Sequence, residues 1–346
     1  MASADPDTAI RQTDGDAAAA RWSACLKGYL DDPFCRFLTS RSHLLQPRPP
    51  IINIGTYVRT AALDKLIDRW ISLATRGDGQ PPCQIVSFGA GSDTRFWRLA
   101  TGMHGSRIRS YIELDFVEVT TKKAMQIKKS RELSSVLRNA APFQGGTGIT
   151  SDKYHLLPVD LRRPPAECLV PLTNASVDGK PMLSPELPTL LLFECVLAYM
   201  SPEASAAVIQ WCADYVSAAP LGGIVYEMFG LQDPFGAVML RNLQVRNITL
   251  PGAAPYPDVA SLPNRFLQHG FHMVHARTLK DIRANHIEPA ELERISQVEF
   301  LDEIEELDLV LAHYAITWGI KLPPVQAENQ EMWNLWTLDT FETEEE

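Results

Sequence analysis

Residues 84–98, Gln84-Ile-Val-Ser-Phe-Gly-Ala-Gly-Ser-Asp-Thr-Arg-Phe-Trp-Arg98, pass from an apolar strand through a turn bracketed by Gly89 and Gly91 into a polar helix start. Glycines without side chains let a ligand lie against the backbone, and Asp93 or Thr94 is placed to cap the following helix. This is the pattern of a nucleotide-type cofactor site. A pyrophosphate site calls for a third glycine where Thr94 stands, with a helix packed close beneath it. A short G-x-G with acids around it suits a cofactor that carries sulfonium and ammonium charge, and S-adenosylmethionine is the common one. An ordinary strand-to-helix turn is the structural alternative, because a single G-x-G is weak evidence.

The acids that follow bear on that choice. Arg109-Ser-Tyr-Ile-Glu-Leu-Asp-Phe116 alternates as a strand does and sets Glu113 and Asp115 on one face near its end. A carboxylate there accepts hydrogen bonds from both ribose hydroxyls, with Asp115 ahead of Glu113; solvated acids on an edge strand are the alternative. Tyr154 to Leu161 is a short apolar strand ending in Asp160 and Leu161, an acid and an apolar side chain placed to meet an adenine amino group and pack its ring. Glu194 lies in the most apolar run of the chain, Pro188 to Met200, and an unpaired buried carboxylate there is costly. It must face a cationic or hydrogen-bonding partner, either a ligand or an arginine of the chain.

Six blocks in order carry a family resemblance: Gly-Thr-Tyr-Val-Arg59, Phe-Gly-Ala-Gly-Ser-Asp-Thr-Arg-Phe-Trp-Arg98, Ile-Glu-Leu-Asp-Phe116, Val-Asp-Leu161, Phe-Glu-Cys-Val-Leu-Ala-Tyr-Met200 and Glu299-Phe-Leu-Asp-Glu-Ile-Glu-Glu306. Together they resemble the leucine carboxyl methyltransferase family, over most of the chain from about Arg21 to Lys321. The resemblance implies an S-adenosylmethionine-dependent enzyme that methylates the α-carboxylate of the C-terminal leucine of the protein phosphatase 2A catalytic subunit, which would be its partner. It implies Arg59 for the cofactor's carboxylate, Gly89 and Gly91 for the turn, Asp115 for the ribose, and Asp160, Leu161 and Glu194 for the remaining contacts. Arg21 matches the family's N-terminal basic contact better than Lys27 does. Such an acceptor is ionised at neutral pH and needs no general base, so catalysis rests on positioning in a closed site. Arg59 and Tyr199 are the residues expected at the reaction, Tyr199 by its position just past Glu194.

The elements that must position these residues follow from the same sequence. Helical pieces from about Ala17 to Ser42, broken at Pro33, and a long amphipathic helix over Thr56 to Thr75 lead to the first strand, and a βαβ series occupies the middle. This predicts an α/β, Rossmann-like methyltransferase fold with N-terminal helices and a helical lid insertion. Residues 1–16 read as disordered, 17–321 as one domain with a lid at about 231–265, and 322–346 as an acidic tail. Residues 130–154 and 175–188 read as loops peculiar to this sequence. Phe300, Ile304, Leu307 and Leu311 fall at helical spacing within an acidic helix over Glu299 to Leu311, and Trp97 reads as core.

Composition narrows the rest. With 32 Lys plus Arg against 42 Asp plus Glu, a net charge of −10 and no basic stripe, nucleic acid is not an expected partner. The longest apolar run is too short to span a bilayer, so no membrane role is expected. The N-terminus reads as neither a secretory signal nor a transit peptide, which places the chain in the cytoplasm, or in the nucleus with a partner. Six scattered cysteines fit a reducing compartment and no zinc site; His269, His272 and His275 do not align as ligands. Two alternatives stand beside the main reading. One is a carboxyl methyltransferase acting on a modified tRNA base, disfavoured by the short stretch after Lys321. The other is a non-catalytic cofactor-binding phosphatase scaffold, disfavoured by the intact Arg59, Asp115 and Glu194.

Overall fold

The computed structural model describes residues 7–77, 79–174, 176–177, 179–324 and 330–339. Its strands are β1 (Cys83–Phe88), β2 (Ile108–Asp115), β3 (Ala141–Phe143), β4 (Gly148–Thr150), β5 (Tyr154–Pro158), β6 (Ser176–Val177), β7 (Lys180–Pro181), β8 (Thr189–Glu194), β9 (Leu221–Met228), β10 (His272–Thr278) and β11 (Tyr314–Lys321). Nine of them form one sheet in the order β10-β11-β9-β8-β1-β2-β5-β4-β3. The central five run parallel and pair through β9-β8-β1-β2-β5. Their residues are apolar on both faces because helices cover both: β1 and β9 are buried from end to end. Chain direction across the sheet reverses at β1, with β2 on one side and β8 on the other. That reversal opens a crevice at the C-terminal strand ends, where open α/β sheets bind ligands.

Helices on the β1 side set the site. α1 (Thr8–Lys27) ends on Gly28, whose positive φ of 88° lets its N–H reach back to the Ala24 and Cys25 carbonyls. α2 (Cys35–Leu38) follows the Pro33 break, and α3 (Pro50–Ala74) starts with proline in its first turn and buries Val58, Leu63, Leu66, Ile67, Trp70 and Ile71. α4 (Arg95–Thr101) follows the glycine turn and α5 (Val117–Lys129) follows β2. Trp97 is fully buried and donates to the Leu133 carbonyl, so it is core.

Several expectations are corrected. The segment expected to be disordered to residue 16 is helical from Thr8 onward. It lacks an apolar stripe, and contacts with the rest of the chain hold it. Within 130–154, β3 and β4 form an antiparallel hairpin that extends the sheet at its β5 edge. The acidic helix is shorter than expected, Ile304–Ala312; Phe300 lies before it and is 85% exposed, while Leu307 and Leu311 are buried. The acidic tail docks on the rest of the chain over 330–339, with Trp333, Trp336 and Leu338 buried. Residues 231–265 contain a helix, Pro234–Val245, and a tight turn, Pro251–Ala253. That region is tied down by a buried ion pair between Arg265 and Glu227 and by Arg265 Nη2 donating to the Gly252 carbonyl. Among the described residues, no helix is long and apolar enough to cross a membrane.

Candidate active site

The crevice at β1, β2, β8 and β9 holds a cavity of about 320 Å³, within the range of roughly 300–1,000 Å³ usual for small-molecule sites. Its floor is the glycine turn. Gly89 and Gly91 adopt φ values of 64° and 50°, in the left-handed region that glycine enters at no cost. A Cβ on Gly89 would come within 2.7 Å of Val196 Cγ2, and one on Gly91 within 2.8 Å of Asp14 Oδ1. Both positions therefore require glycine, and both face the cavity.

Asp115 ends β2 beside this turn. Its Oδ2 accepts from the Gly91 N–H at 2.7 Å and its Oδ1 from the Phe116 N–H at 2.7 Å. Burial pushes its carboxyl up to about 6, although those two N–H groups pull the other way. Each oxygen keeps acceptor capacity, and Asp115 lines the cavity. Glu113 does not. Two residues back on the same strand, it is fully buried between Lys123 Nζ, 2.6 Å away, and the Tyr154 hydroxyl, which donates at 2.6 Å.

Glu194 at the end of β8 is held by two arginines. Arg59 donates to its Oε2 from Nη2 at 2.8 Å and from Nε at 3.2 Å, and Arg95 Nη1 lies 2.7 Å from Oε1. Burial alone would raise its carboxyl, but Arg95 and then Arg59 hold it below the usual carboxylate range. The arginine partner left open by the sequence is thus present twice. Arg59 sits on the α3 face that carries Thr56 and Thr60 to the cavity, with its guanidinium 4.4 Å over the Tyr226 ring. Since Nε and Nη2 are turned to Glu194, Nη1 is the nitrogen left for a further carboxylate.

Arg95 was quoted in the sequence motif without a role. It is 3% exposed and also pairs with Asp93 at 2.6 Å and Asp64 at 3.3 Å, which makes it the hub of a network Asp93, Arg95, Glu194, Arg59. Arg21 lines the cavity, but its Nε donates to Asp32 Oδ2 at 2.6 Å; Lys27 is turned away to Glu299. Asp32 also accepts from the Thr94 hydroxyl at 2.5 Å, tying α1 to the glycine turn.

Asp160 and Leu161 are not brought to the cavity lining. β5 ends at Pro158, and Arg162 folds back to donate from Nε and Nη2 to both Asp160 oxygens, while Nη1 and Nη2 donate to Asp7. Leu161 is buried in the apolar core. Tyr199 does line the cavity, in a tight turn Leu197–Tyr199 after β8. Beside it, Tyr226 and Tyr314 stack at 5.5 Å. Strand pairing accounts for that wall: Glu194 is opposite Tyr226, and Met228 is opposite Tyr314. Nothing local in the sequence reveals these tyrosines, because only the register across three strands assembles them. None of residues 231–265 lines the cavity; its cover is α1, which turns Ile10, Asp14, Ala17 and Arg21 toward it at helical spacing.

Among the described lining residues there is neither histidine nor lysine, and the proton-accepting groups are four carboxylates that already have partners: Asp14 with Lys122, Asp93 with Arg95, Asp115 with two backbone N–H groups, and Glu194 with Arg59 and Arg95. Burial pushes the Cys195 thiol up to about 12 and raises the Tyr199, Tyr226 and Tyr314 hydroxyls.

A mixed sheet with its parallel switch point at β1, a glycine turn and an acid ending the second strand is a Rossmann-like arrangement for a nucleotide-type cofactor, and with the family match it puts the chain in the class of S-adenosylmethionine-dependent methyltransferases. In fold, a protein of Thermobifida fusca described as a methyltransferase is similar to this chain, with a TM-score of 0.50 at 14% identity, over 88% of this chain and 94% of that one. A family model described as leucine carboxyl methyltransferase matches residues 9–213. Leucine carboxyl methyltransferase 1 of Cryptococcus neoformans is 42% identical, covering 91% of this chain and 94% of the relative. The Arabidopsis thaliana homolog of that name is 34% identical over 90% and 89%. The chain belongs to the leucine carboxyl methyltransferase family.

Proposed function

We propose that this carboxyl methyltransferase takes S-adenosylmethionine and methylates the α-carboxylate of the C-terminal leucine of the protein phosphatase 2A catalytic subunit. The observation that carries the reading is the meeting of Arg59, Asp115 and Glu194 around the Gly89 to Gly91 turn in one cavity. These residues fit the cofactor: Asp115 keeps acceptor capacity for ribose hydroxyls, Arg59 Nη1 faces the need of a carboxylate, and the turn leaves no side chain in the way. When bound, the cofactor supplies an electrophilic methyl group on a sulfonium.

The cavity's own groups favour a carboxylate as acceptor. A C-terminal carboxylate has a pKa near ~3.5 and attacks without losing a proton, whereas an amine or hydroxyl needs a base. The Cys195 thiol and the three tyrosines stay protonated at neutral pH, so none is that base. What remains for the chain is to orient and to exclude water. In this reading Tyr199, which lines the cavity, donates to the acceptor carboxylate, Arg59 balances charge, and α1 covers the cavity.

The test is mass spectrometry of purified phosphatase catalytic subunit incubated with the protein and S-adenosylmethionine. One added methyl on the terminal leucine is the expected result. A phosphatase left unmodified, or a methyl on any other residue, overturns the reading.

A further inference from the structure

We propose that Cys25 and Cys35 are a redox modification site: a hydroperoxide oxidises Cys25, Cys35 captures it as a disulfide, and the bond staples α1 to α2. The carrying observation is a thiol pair, the Cys35 Sγ lying 3.3 Å from the Cys25 Sγ and donating to it. Closing to a disulfide of about 2.05 Å moves the two sulfurs together by about 1.2 Å. The two cysteines sit in the last turn of α1 and the first position of α2, and neither takes part in the methyl-transfer chemistry.

Access and reactivity are divided between the two. Cys25 is partly exposed and Cys35 is buried, as an attacking and a resolving cysteine should be. The hydrogen bond from Cys35 holds the Cys25 thiol below its usual range, with Arg21 helping and burial and Asp32 opposing, while the same bond and burial raise Cys35. The other cysteines are differently placed: Cys83 and Cys212 are buried, and burial pushes the Cys195 thiol up to about 12. Cys168 donates to the Arg163 carbonyl.

With hydrogen peroxide the steps balance. The Cys25 thiolate attacks one peroxide oxygen, an S–O bond forms, the O–O bond breaks, and hydroxide leaves. Cys35 then attacks the sulfenic sulfur, an S–S bond forms, and the departing hydroxyl leaves as water with the Cys35 proton. Two thiols give up two electrons in all, and a dithiol reductant returns them.

The consequence lies in α1. One turn before Cys25, Arg21 pairs with Asp32, and Asp32 in turn holds Thr94 at the glycine turn. A bond across Cys25 and Cys35 makes that corner of the cavity cover one covalent unit.

The experiment treats the full-length reduced protein with hydrogen peroxide, then alkylates free thiols, digests without reductant and reads the peptides by mass. A crosslinked peptide joining Cys25 to Cys35, lighter by two hydrogens and lost on adding dithiothreitol, is expected. In the untreated protein Cys25 should alkylate on the order of tenfold faster than Cys83 or Cys212. Hydrogen exchange across residues 8–27 should slow several-fold on oxidation, and Cys35→Ser should remove the slowing and leave Cys25 trapped by a sulfenic-acid probe. Recovery of both thiols fully alkylated after peroxide overturns the site, whatever the protein's activity toward the phosphatase. A crosslink that leaves exchange in α1 unchanged overturns the staple.

Discussion

Arg95 neutralises two buried carboxylates at once, so its removal leaves Glu194 with Arg59 as its remaining ion-pair partner and Asp93 with, for positive charge, only the fields of Lys123, Arg21 and Arg98. Losing one partner of a buried ion pair costs about 3–5 kcal/mol. We expect Arg95→Gln to weaken S-adenosylmethionine binding at least about tenfold, or ~1.4 kcal/mol, and to make binding fall as pH drops, because Glu194 loses the first of the two cations that hold it down. Calorimetric titration at several pH values checks this, and wild-type affinity in a folded variant would refute it. Asp115 obeys the opposite sign. Its carboxyl is raised by burial from 3.8 to about 6, so its ionisation destabilises the fold; the penalty is absent below the unfolded value and complete once pH has risen past about 6. The gap corresponds to about 3 kcal/mol. Asp115→Asn keeps one acceptor oxygen and turns an amide donor to the other N–H, which costs about 1–3 kcal/mol at any pH. Its stability relative to wild type should therefore improve by about 3 kcal/mol between about pH 4 and pH 8, while it binds the cofactor more weakly at pH 8. A difference in stability that does not change with pH sinks the assignment. Gly89, Gly91, Asp115 and Glu194 were legible in the sequence because each sits at a strand end, where residue type and position together imply a role. Arg95 was not, since an arginine at a polar helix start gives no sign of turning inward, and Asp160, read as an adenine contact from its place at the end of a short apolar strand, meets Arg162 folding back on it, which the linear sequence does not show.

At the scale of elements, α1 is both a wall and a cover, and it is held by charge. Asp7 pairs with Arg162 at 2.7 Å, Asp14 with Lys122 at 2.8 Å and Asp16 with Arg246 at 2.5 Å, linking the helix to three separate segments. These pairs are partly exposed, so each contributes little alone and salt screens them. We expect cofactor dissociation, followed by stopped-flow fluorescence, to speed up several-fold between about 0.05 and 0.5 M salt. Deletion of residues 1–16 should speed it further while leaving the sheet folded. Equal release rates in the deletion variant would mean that α1 is not the cover. The sequence hid the first half of this helix because Thr8 to Ala17 is mostly polar, with Gly15 inside it and no apolar face; its order comes from contacts spread along the chain. The β3–β4 hairpin was hidden for a similar reason, as strands of three residues are too short to carry an alternating pattern. The helices with a buried stripe, such as α3, were visible from spacing alone.

For the whole molecule, the order of parallel strands follows from the βαβ series, but the closure of the far side depends on residues remote in sequence. Trp336 donates from Nε1 to the Leu66 carbonyl at 2.9 Å, and its own carbonyl accepts from Trp318 Nε1 at 3.0 Å. Trp333 packs between Trp70 and Trp336 at ring distances of 6.4 and 6.3 Å. The tail thereby bridges α3 and β11, where the sequence read only an acidic tail. None of residues 330–339 lines the cavity, so the bridge should serve stability and leave chemistry alone. Truncating a buried tryptophan to alanine costs about 3–5 kcal/mol. Trp336→Ala also removes the hydrogen bond that its Nε1 adds to the Leu66 carbonyl, which keeps its bond within α3; that adds about 0.5–1.5 kcal/mol. We expect its urea midpoint to fall sharply while the affinity for S-adenosylmethionine, measured well below the transition, stays within about twofold of wild type, or ~0.4 kcal/mol. A tenfold loss of affinity in the folded variant would show that α3 carries strain from the tail to Arg59. An unchanged midpoint would show that the tail is not part of the cooperative fold.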